Sequence, residues 1–400
     1  MRRVTCIKKK DLKLELRCYK LYIRSINRNY SKGVNTLSYA AITGWGSYVP
    51  PVLMTNEDMS KIVDTSDEWI FSRSGIRQRH YSHVPVGKMG WLACERALAA
   101  AGVDAKDIDL IVLGCTSPEE YCPNTASYIK NELGAIKATA FDLNSACTSW
   151  VYALNVATDM IKAGSIKKAL VVGAERISLA MDWQKRESCF LFGDGAGAVL
   201  LESSQHQEGL LSAHLSCVPD SRECLKLPGW GLSPLHFTDE IFISLNFEGQ
   251  EIFKSAVKGM GDSIANVLDR EGLAPEDIDL FIPHQANIRI IQSLAKRLNF
   301  PMEKVVVRID EYANTSAASI PLALCDAIEQ EVLKPGMTIL VATFGAGLTC
   351  GAGIIKWGDR NVPIAKSDKN IPGFEGTVFD LMADSFSHYG VDATHLLTKA

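Results

Sequence analysis

The chain has 400 residues, 47% hydrophobic and 22% charged, with a formal net charge of −4. That length supports two domains or one large one with a substantial core. The acidic balance excludes a general nucleic-acid binder, and no apolar run approaches the ~20 residues of a membrane-spanning helix.

The 11 cysteines are odd in number and scattered, with no CxxC pair. That pattern is neither a disulfide framework nor a zinc site, and no metal is expected. Reduced thiols in a cytosol-like compartment are the simplest reading. Residues 1–37 form a basic extension, with eleven Lys or Arg between Arg2 and Lys32 against Asp11 and Glu15. A transit peptide or an anionic-surface anchor has this charge. Sparse serine favours a disordered tail or an upstream start codon instead.

From residue 38 onward, short β-branched runs alternate with helical patterns, which is the signature of an α/β fold. GWLACERALAAAG (90–102) has helical spacing and ends at a glycine. LIVLGC (110–115) reads as a buried strand. CTSWVYALNVATDMIKAG (147–164) reads as a long helix, ALVVGAE (169–175) as a strand, and FLFGDGAGAVLLES (190–203) as strand, glycine turn, strand. The segment 205–245 looks like a loop-rich crossover. The order then repeats: helix in GDSIANVLDREG (261–272), strand in LFIPH (280–284), helix over most of 314–333, and strand, glycine turn, strand in 338–357. Residues 359–400 look like a separate extension.

The repeat is visible in letters as well as in patterns. DIDL occurs at 107–110 and at 277–280, 170 residues apart, and Gly102 and Gly272 keep the same offset. We therefore expect two similar halves, 38–208 and 209–358, related by a pseudo-twofold axis with equivalent loops meeting near it. At the equivalent position the first half has Gly114 and the second has His284.

His284 ends a strand, where open α/β sheets place their ligands. Cys147 and Asn314 stand at the starts of corresponding helices, so all three converge on one site. A thiol at a helix N-terminus is expected to favour the thiolate. Histidine serves as a base or as a hydrogen-bond donor, and histidine with asparagine can hold a developing enolate oxygen. Each has a bland counterpart: an inert buried thiol, a satisfied core histidine and a helix-capping asparagine. FGDGAGA (192–198) is not a dinucleotide fingerprint, because a strand rather than a helix follows it.

Six segments together resemble the β-ketoacyl-acyl carrier protein synthase III family: DTSDEWIFSRSGIRQRH (64–80), the Cys147 segment, FGDGAGA, IPHQAN (282–287), ANTSAAS (313–319) and the C-terminal FGAG. The match spans about residues 38–357. The resemblance implies a thiolase-like fold of two α/β halves in five αβαβα layers. It implies that Cys147 takes an acyl group from acyl-CoA, with no permanently bound cofactor. It implies that His284 and Asn314 assist decarboxylation of malonyl-acyl carrier protein, and that the amides of Cys147 and Ala346 form an oxyanion hole. By the same resemblance Thr65, Trp69, Arg73, Arg186, Gly249, Phe253, Ala286 and Asn287 bind CoA. Lys254, Arg289, Lys296 and Arg297 would dock the acidic carrier protein, although a solvated helix face reads equally well. A homodimer in the cytoplasm is implied too.

Four positions depart from the family pattern. Asn314 follows Glu311-Tyr312-Ala313 rather than Gly-His-Gly. The C-terminal turn is Gly345-Ala346-Gly347 rather than three glycines. Glu187 follows Arg186 where a small residue is usual. Cys122 precedes Pro123 where acetyl-specific relatives often carry phenylalanine, so a wider acyl tunnel and donors longer than acetyl are expected. The alternatives are a sibling condensing enzyme of secondary metabolism or acyl–acyl condensation, and a silent thiolase-fold partner protein.

Overall fold

The computed structural model describes residues 38–219, 222–227 and 245–398; the basic extension lies outside them. Thirteen strands are described: β1 (Tyr39–Tyr48), β2 (Val52–Thr55), β3 (Gln78–Tyr81), β4 (Leu110–Gly114), β5 (Thr139–Leu143), β6 (Lys168–Glu175), β7 (Gly195–Ser204), β8 (Gly209–Cys217), β9 (Leu225–Lys226), β10 (Asn246–Phe247), β11 (Leu280–Pro283), β12 (Thr338–Gly345) and β13 (Thr349–Lys356).

Nine of them form one mixed sheet in the order β11-β12-β13-β8-β1-β7-β6-β4-β5. The order reads outward in both directions from a single parallel pairing of Ala40 with Gly209 between β1 and β8. On one side β1-β7-β6-β4-β5 follow, and on the other β8-β13-β12-β11 repeat the first four. The fifth strand of the second half survives as one parallel bridge between Phe281 and Val305. Within the segment read as a crossover, β8 is a central strand.

The duplicated DIDL has a structural job. Asp109 and Asp279 each accept a hydrogen bond from the start of the neighbouring strand: Lys167 N at 2.9 Å and Lys168 N at 3.1 Å for Asp109, and Thr338 N at 2.8 Å for Asp279. Each thereby sets where β6 or β12 begins beside β4 or β11. The leucine that follows starts the buried strand.

The sheet is covered on both faces, so strands such as β4 and β11 are apolar throughout. Leu110 and Val112 face a layer made by the helices Ser149–Lys162 and Ser319–Glu329. Ile111 and Leu113 face the helices Val86–Ala101 and Thr125–Leu133. In the second half Leu280 and Ile282 share the central helix layer, while Phe281 faces the helices Gly249–Glu271 and Ile288–Arg297. The result is helix, sheet, helix, sheet, helix. No helix among the described residues is long and apolar enough to cross a membrane.

Residues 359–398 are not a separate extension. Arg360 Nη1 donates to Ala100 O at 2.6 Å, and its guanidinium lies over Trp45. The helix Val378–His388 buries Val378, Phe379, Met382 and Phe386 in a cluster with Met54, Tyr81 and Trp183. Trp183 packs against Phe386 at 4.8 Å between ring centroids and donates its indole N–H to Ser385 Oγ at 2.8 Å. The glycine-free apolar spacing of FDLMADSF hid this docking, because its partners are more than 150 residues away.

Phe386→Ala should lower the unfolding free energy in urea by about 3 kcal/mol. Val362→Ala, at a site 67% exposed, should change it by under ~0.5 kcal/mol. Equal small effects would show that the C-terminal helix does not belong to the core.

Candidate active site

A cavity of about 620 Å³ opens at the ends of β6, β11 and β12, and Cys147, His284, Asn314 and Ala346 all line it. Three segments far apart in sequence thus meet as expected. Gly114 explains the asymmetry between the halves. A Cβ there would lie 2.8 Å from Trp150 N, so only glycine lets the helix that follows Cys147 approach β4. In the second half the equivalent helix start meets a side chain instead, with Ser319 Oγ 2.6 Å from Nδ1 of His284, which lines the cavity.

Cys147 precedes the helix rather than starting it, since the cap is Thr148 and the first turn begins at Ser149. Its thiol is not shifted toward thiolate. Burial, with a contribution from the nearby Glu175 carboxylate, pushes it up to about 12, partly opposed by a hydrogen bond from Ser316. The helix dipole is outweighed because the sulfur is desolvated and faces an anion. Ser316 Oγ lies 3.3 Å from Cys147 Sγ and 2.9 Å from Glu175 Oε1. Thr343 Oγ1, from β12, donates to Cys147 O at 3.2 Å. Gly345 comes so close that a Cβ would sit 2.7 Å from Cys147 N, which brings the 345–346 turn beside the cysteine amide. Alanine is accommodated at 346 because its backbone stays out of the left-handed region.

His284 is buried, and Ser319 Oγ lies 2.6 Å from its Nδ1. The Gln285 N–H points at the same Oγ from 3.4 Å; with the serine proton directed to Nδ1, Nε2 carries the ring proton. Nε2 has no partner and faces the cavity. Burial lowers the imidazole to about 3, so it is a neutral donor at neutral pH.

Asn314 Oδ1 accepts from Ser316 N at 2.8 Å, which leaves its amide nitrogen for the cavity. It does not cap the long helix, which starts at Ser319 after a short 3-10 turn. Its backbone is clamped by the 191–193 segment: Asn314 N donates to Leu191 O at 3.0 Å, and Gly193 N donates to Asn314 O at 3.1 Å. The glycine-rich turn thus positions an asparagine. Ala313, fully buried at φ 55° and ψ −154°, occupies a conformation glycine prefers.

The other predicted residues divide. Trp69, Arg73, Gly249, Phe253, Ala286 and Asn287 line the cavity. Thr65 and Arg186 do not, but Arg186 lies over the Trp69 ring at 4.5 Å, as does Arg73 at 4.4 Å. Asn287 also caps the Ile288–Arg297 helix through Arg289 N. Glu187 lines the cavity mouth. All four docking candidates, Lys254, Arg289, Lys296 and Arg297, are exposed; Arg289 Nη2 donates to Ser72 O at 2.8 Å, and Arg297 makes a surface ion pair with Asp262 at 2.9 Å. Cys122 is exposed and lies outside this cavity. Sequence reasoning missed Ser316, Ser319 and Glu175. The available signal for Glu175 was one charged residue closing the apolar run ALVVGAE.

The geometry defines a thiolase-type condensing site, and the comparisons with known proteins agree. Residues 141–219 match the family model described as 3-oxoacyl-[acyl-carrier-protein (ACP)] synthase III, and 268–357 match its C-terminal model. A Vibrio cholerae protein named β-ketoacyl-[acyl-carrier-protein] synthase III 2 is 47% identical over 354 residues, 88% of this chain and 98% of that one. The crystal structure of 3-oxoacyl-[acyl-carrier-protein] synthase III from Aquifex aeolicus is 40% identical with a TM-score of 0.75, covering 80% of this chain and all of that one. The priming β-ketosynthase of the R1128 polyketide pathway is 32% identical with a TM-score of 0.76, covering 80% and 97%. The chain belongs to the β-ketoacyl-acyl carrier protein synthase III family, whose members are condensing acyltransferases.

Two outcomes follow from the site. Ala313→Gly should stabilise the protein by about 1 kcal/mol in urea unfolding, since it releases the left-handed strain; no gain would show that the Ala313 backbone is unstrained. In an imidazole NMR titration His284 should remain neutral down to pH 5. A midpoint near 6.5 would contradict its desolvated setting.

Proposed function

We propose that this chain performs a decarboxylating Claisen condensation of an acyl-CoA primer with malonyl-acyl carrier protein, the step that starts fatty acid synthesis. The observation that carries this reading is the meeting of a thiol, a neutral imidazole with an unpartnered Nε2 and an asparagine amide in one largely apolar cavity.

Cys147 Sγ attacks the acyl-CoA carbonyl. A new S–C bond forms, the CoA C–S bond breaks, and covalent transfer divides one hard step into two. The amides of Cys147 and Ala346 would receive the oxyanion. Malonyl-carrier protein then loses CO₂, and its electron pair becomes an enolate whose oxygen is held by His284 Nε2–H and the Asn314 amide. A neutral histidine suits this task, since a donor is needed and no proton has to be removed from malonate. The enolate carbon attacks the acyl thioester and expels Cys147 sulfur.

Trp69 and its two arginines, with Gly249, Phe253, Ala286 and Asn287, would carry the CoA adenine and pantetheine arm, and Arg73 and Thr65 would lie near its phosphates. The exposed Lys254, Arg289, Lys296 and Arg297 would meet the acidic carrier protein. The setting we propose is the cytoplasm, with a homodimer. A second copy is the route by which the exposed Cys122 reaches an acyl chain, so the dimer and a preference for donors longer than acetyl are proposed together. The likeness to a polyketide priming enzyme favours, as a second reading, the same chemistry on a secondary-metabolic donor.

Intact-protein mass after incubation with acyl-CoAs from acetyl to dodecanoyl tests this. One acyl adduct is expected in the native chain and none in Cys147→Ser. An adduct that persists in the variant places the nucleophile elsewhere. No adduct from any CoA ester refutes the CoA donor.

A further inference from the structure

Glu175 closes β6 as a fully buried carboxylate. It accepts from Thr116 N, Ser117 N, Ser117 Oγ at 2.6 Å and Ser316 Oγ at 2.9 Å, with Ala317 N at 3.4 Å. The proposed steps make no use of it. Yet it stands one hydroxyl away from the nucleophile, because Ser316 Oγ is also 3.3 Å from Cys147 Sγ. A serine hydroxyl has one proton and cannot give it to both neighbours. With the proton on the Glu175 side, Ser316 offers the sulfur a lone pair, and the thiol S–H donates back to it.

We propose that Glu175 and Ser316 form an internal proton store for Cys147. In one arrangement Cys147 is a thiol, Ser316 donates to Glu175, and Glu175 is a carboxylate. Shifting each proton one place gives a thiolate, a serine donating to sulfur, and a protonated Glu175. Both arrangements carry the same single negative charge, so the buried site generates its nucleophile without taking up or losing an ion. When sulfur attacks the donor thioester, the S–C bond forms, and the donor leaves as a thiolate that takes its proton from water. The proton stays on Glu175 while the acyl group is in place. Condensation then breaks the S–C bond, and the proton returns through Ser316 to the sulfur. Glu175 is thus a positioning residue that acts through Ser316.

The surroundings fit a proton holder. Burial raises the Glu175 carboxyl above the usual range, opposed by its donors, of which Ser117 contributes most. The titratable groups facing it are two thiols: Cys115, whose Sγ is 3.7 Å from Oε2, and Cys147. Cys115 is itself pushed well up by burial and by Glu175, and so holds its own proton.

The inference rests on Cys147 as the nucleophile, and its test does not need the reaction. Alkylation of Cys147 by iodoacetamide, followed by peptide mass from pH 5.5 to 10, is compared in the native chain, Glu175→Gln and Ser316→Ala. The two variants should each react about 100-fold more slowly at pH 7, with rates that climb tenfold per pH unit. Acylation by the preferred acyl-CoA should fall in parallel. The competing role, a carboxylate that merely repels the thiolate, gives the opposite sign: Glu175→Gln would then lower the thiol's pKa and speed alkylation at neutral pH. Faster or unchanged alkylation in Glu175→Gln overturns the store. So does a loss confined to Glu175→Gln, since Ser316→Ala keeps the carboxylate and its backbone donors. If alkylation responds as expected but no CoA ester acylates Cys147, the store stands and the CoA donor falls.

Discussion

The structure depends on burying two helices, Ser149–Lys162 and Ser319–Glu329, between the two sheet halves. Packed on both flanks, they are apolar nearly all round, with Trp150, Leu154 and Ile161 on one and Ile320, Leu324 and Ile328 on the other. Polar groups inside them are few, namely Asn155, Thr158 and Asp159 on the first and Asp326, paired with Arg308 at 3.1 Å, on the second. The ends that matter begin beside each other at the carboxyl ends of β6 and β12. Cys147, Asn314 and Ser316 all stand just ahead of these helix starts. The same burial makes every charge near those ends a strongly desolvated one, which is why the thiol moves up and the imidazole moves down.

Backbone strain gathers at the same place. Ala146 before Cys147, Ala313 before Asn314, and Ser316 after it all have φ between 49° and 58°. Non-glycine residues in this region each cost on the order of 1–3 kcal/mol. The surroundings over-determine them: Gly345 abuts Cys147, the 191–193 segment holds Asn314 through its N–H and its C=O, and the carboxylate of Glu175 collects amides from 116, 117 and 317. Rigid placement comes from these backbone contacts more than from side-chain packing.

Much of the architecture was legible in the sequence because duplication writes each signal twice. The strands at 110–114 and 280–283, the glycine stops at 102 and 272 and the Cys–His–Asn convergence all followed from matching patterns. What escaped has physical reasons. The strand β8 has the weak alternation of a strand under a helix, and loop-like residues follow it. The thiol's state depends on desolvation and on Glu175, which is 28 positions away in sequence. The Arg297–Asp262 ion pair joins two helices 35 positions apart, beyond the reach of local spacing.

The docking of the Val378–His388 helix has a consequence for the order of events in biosynthesis. Its partner Trp183 lies in the segment whose residues Ile177, Met181, Phe190 and Phe192 wall the cavity. A chain emerging from the ribosome delivers its nucleophile, its histidine and its asparagine well before the residues that back that wall. The nascent protein therefore holds all its reactive groups before it has a finished chamber to keep them in. Completion of the site waits for residues 378–388, which are made well after Asn314.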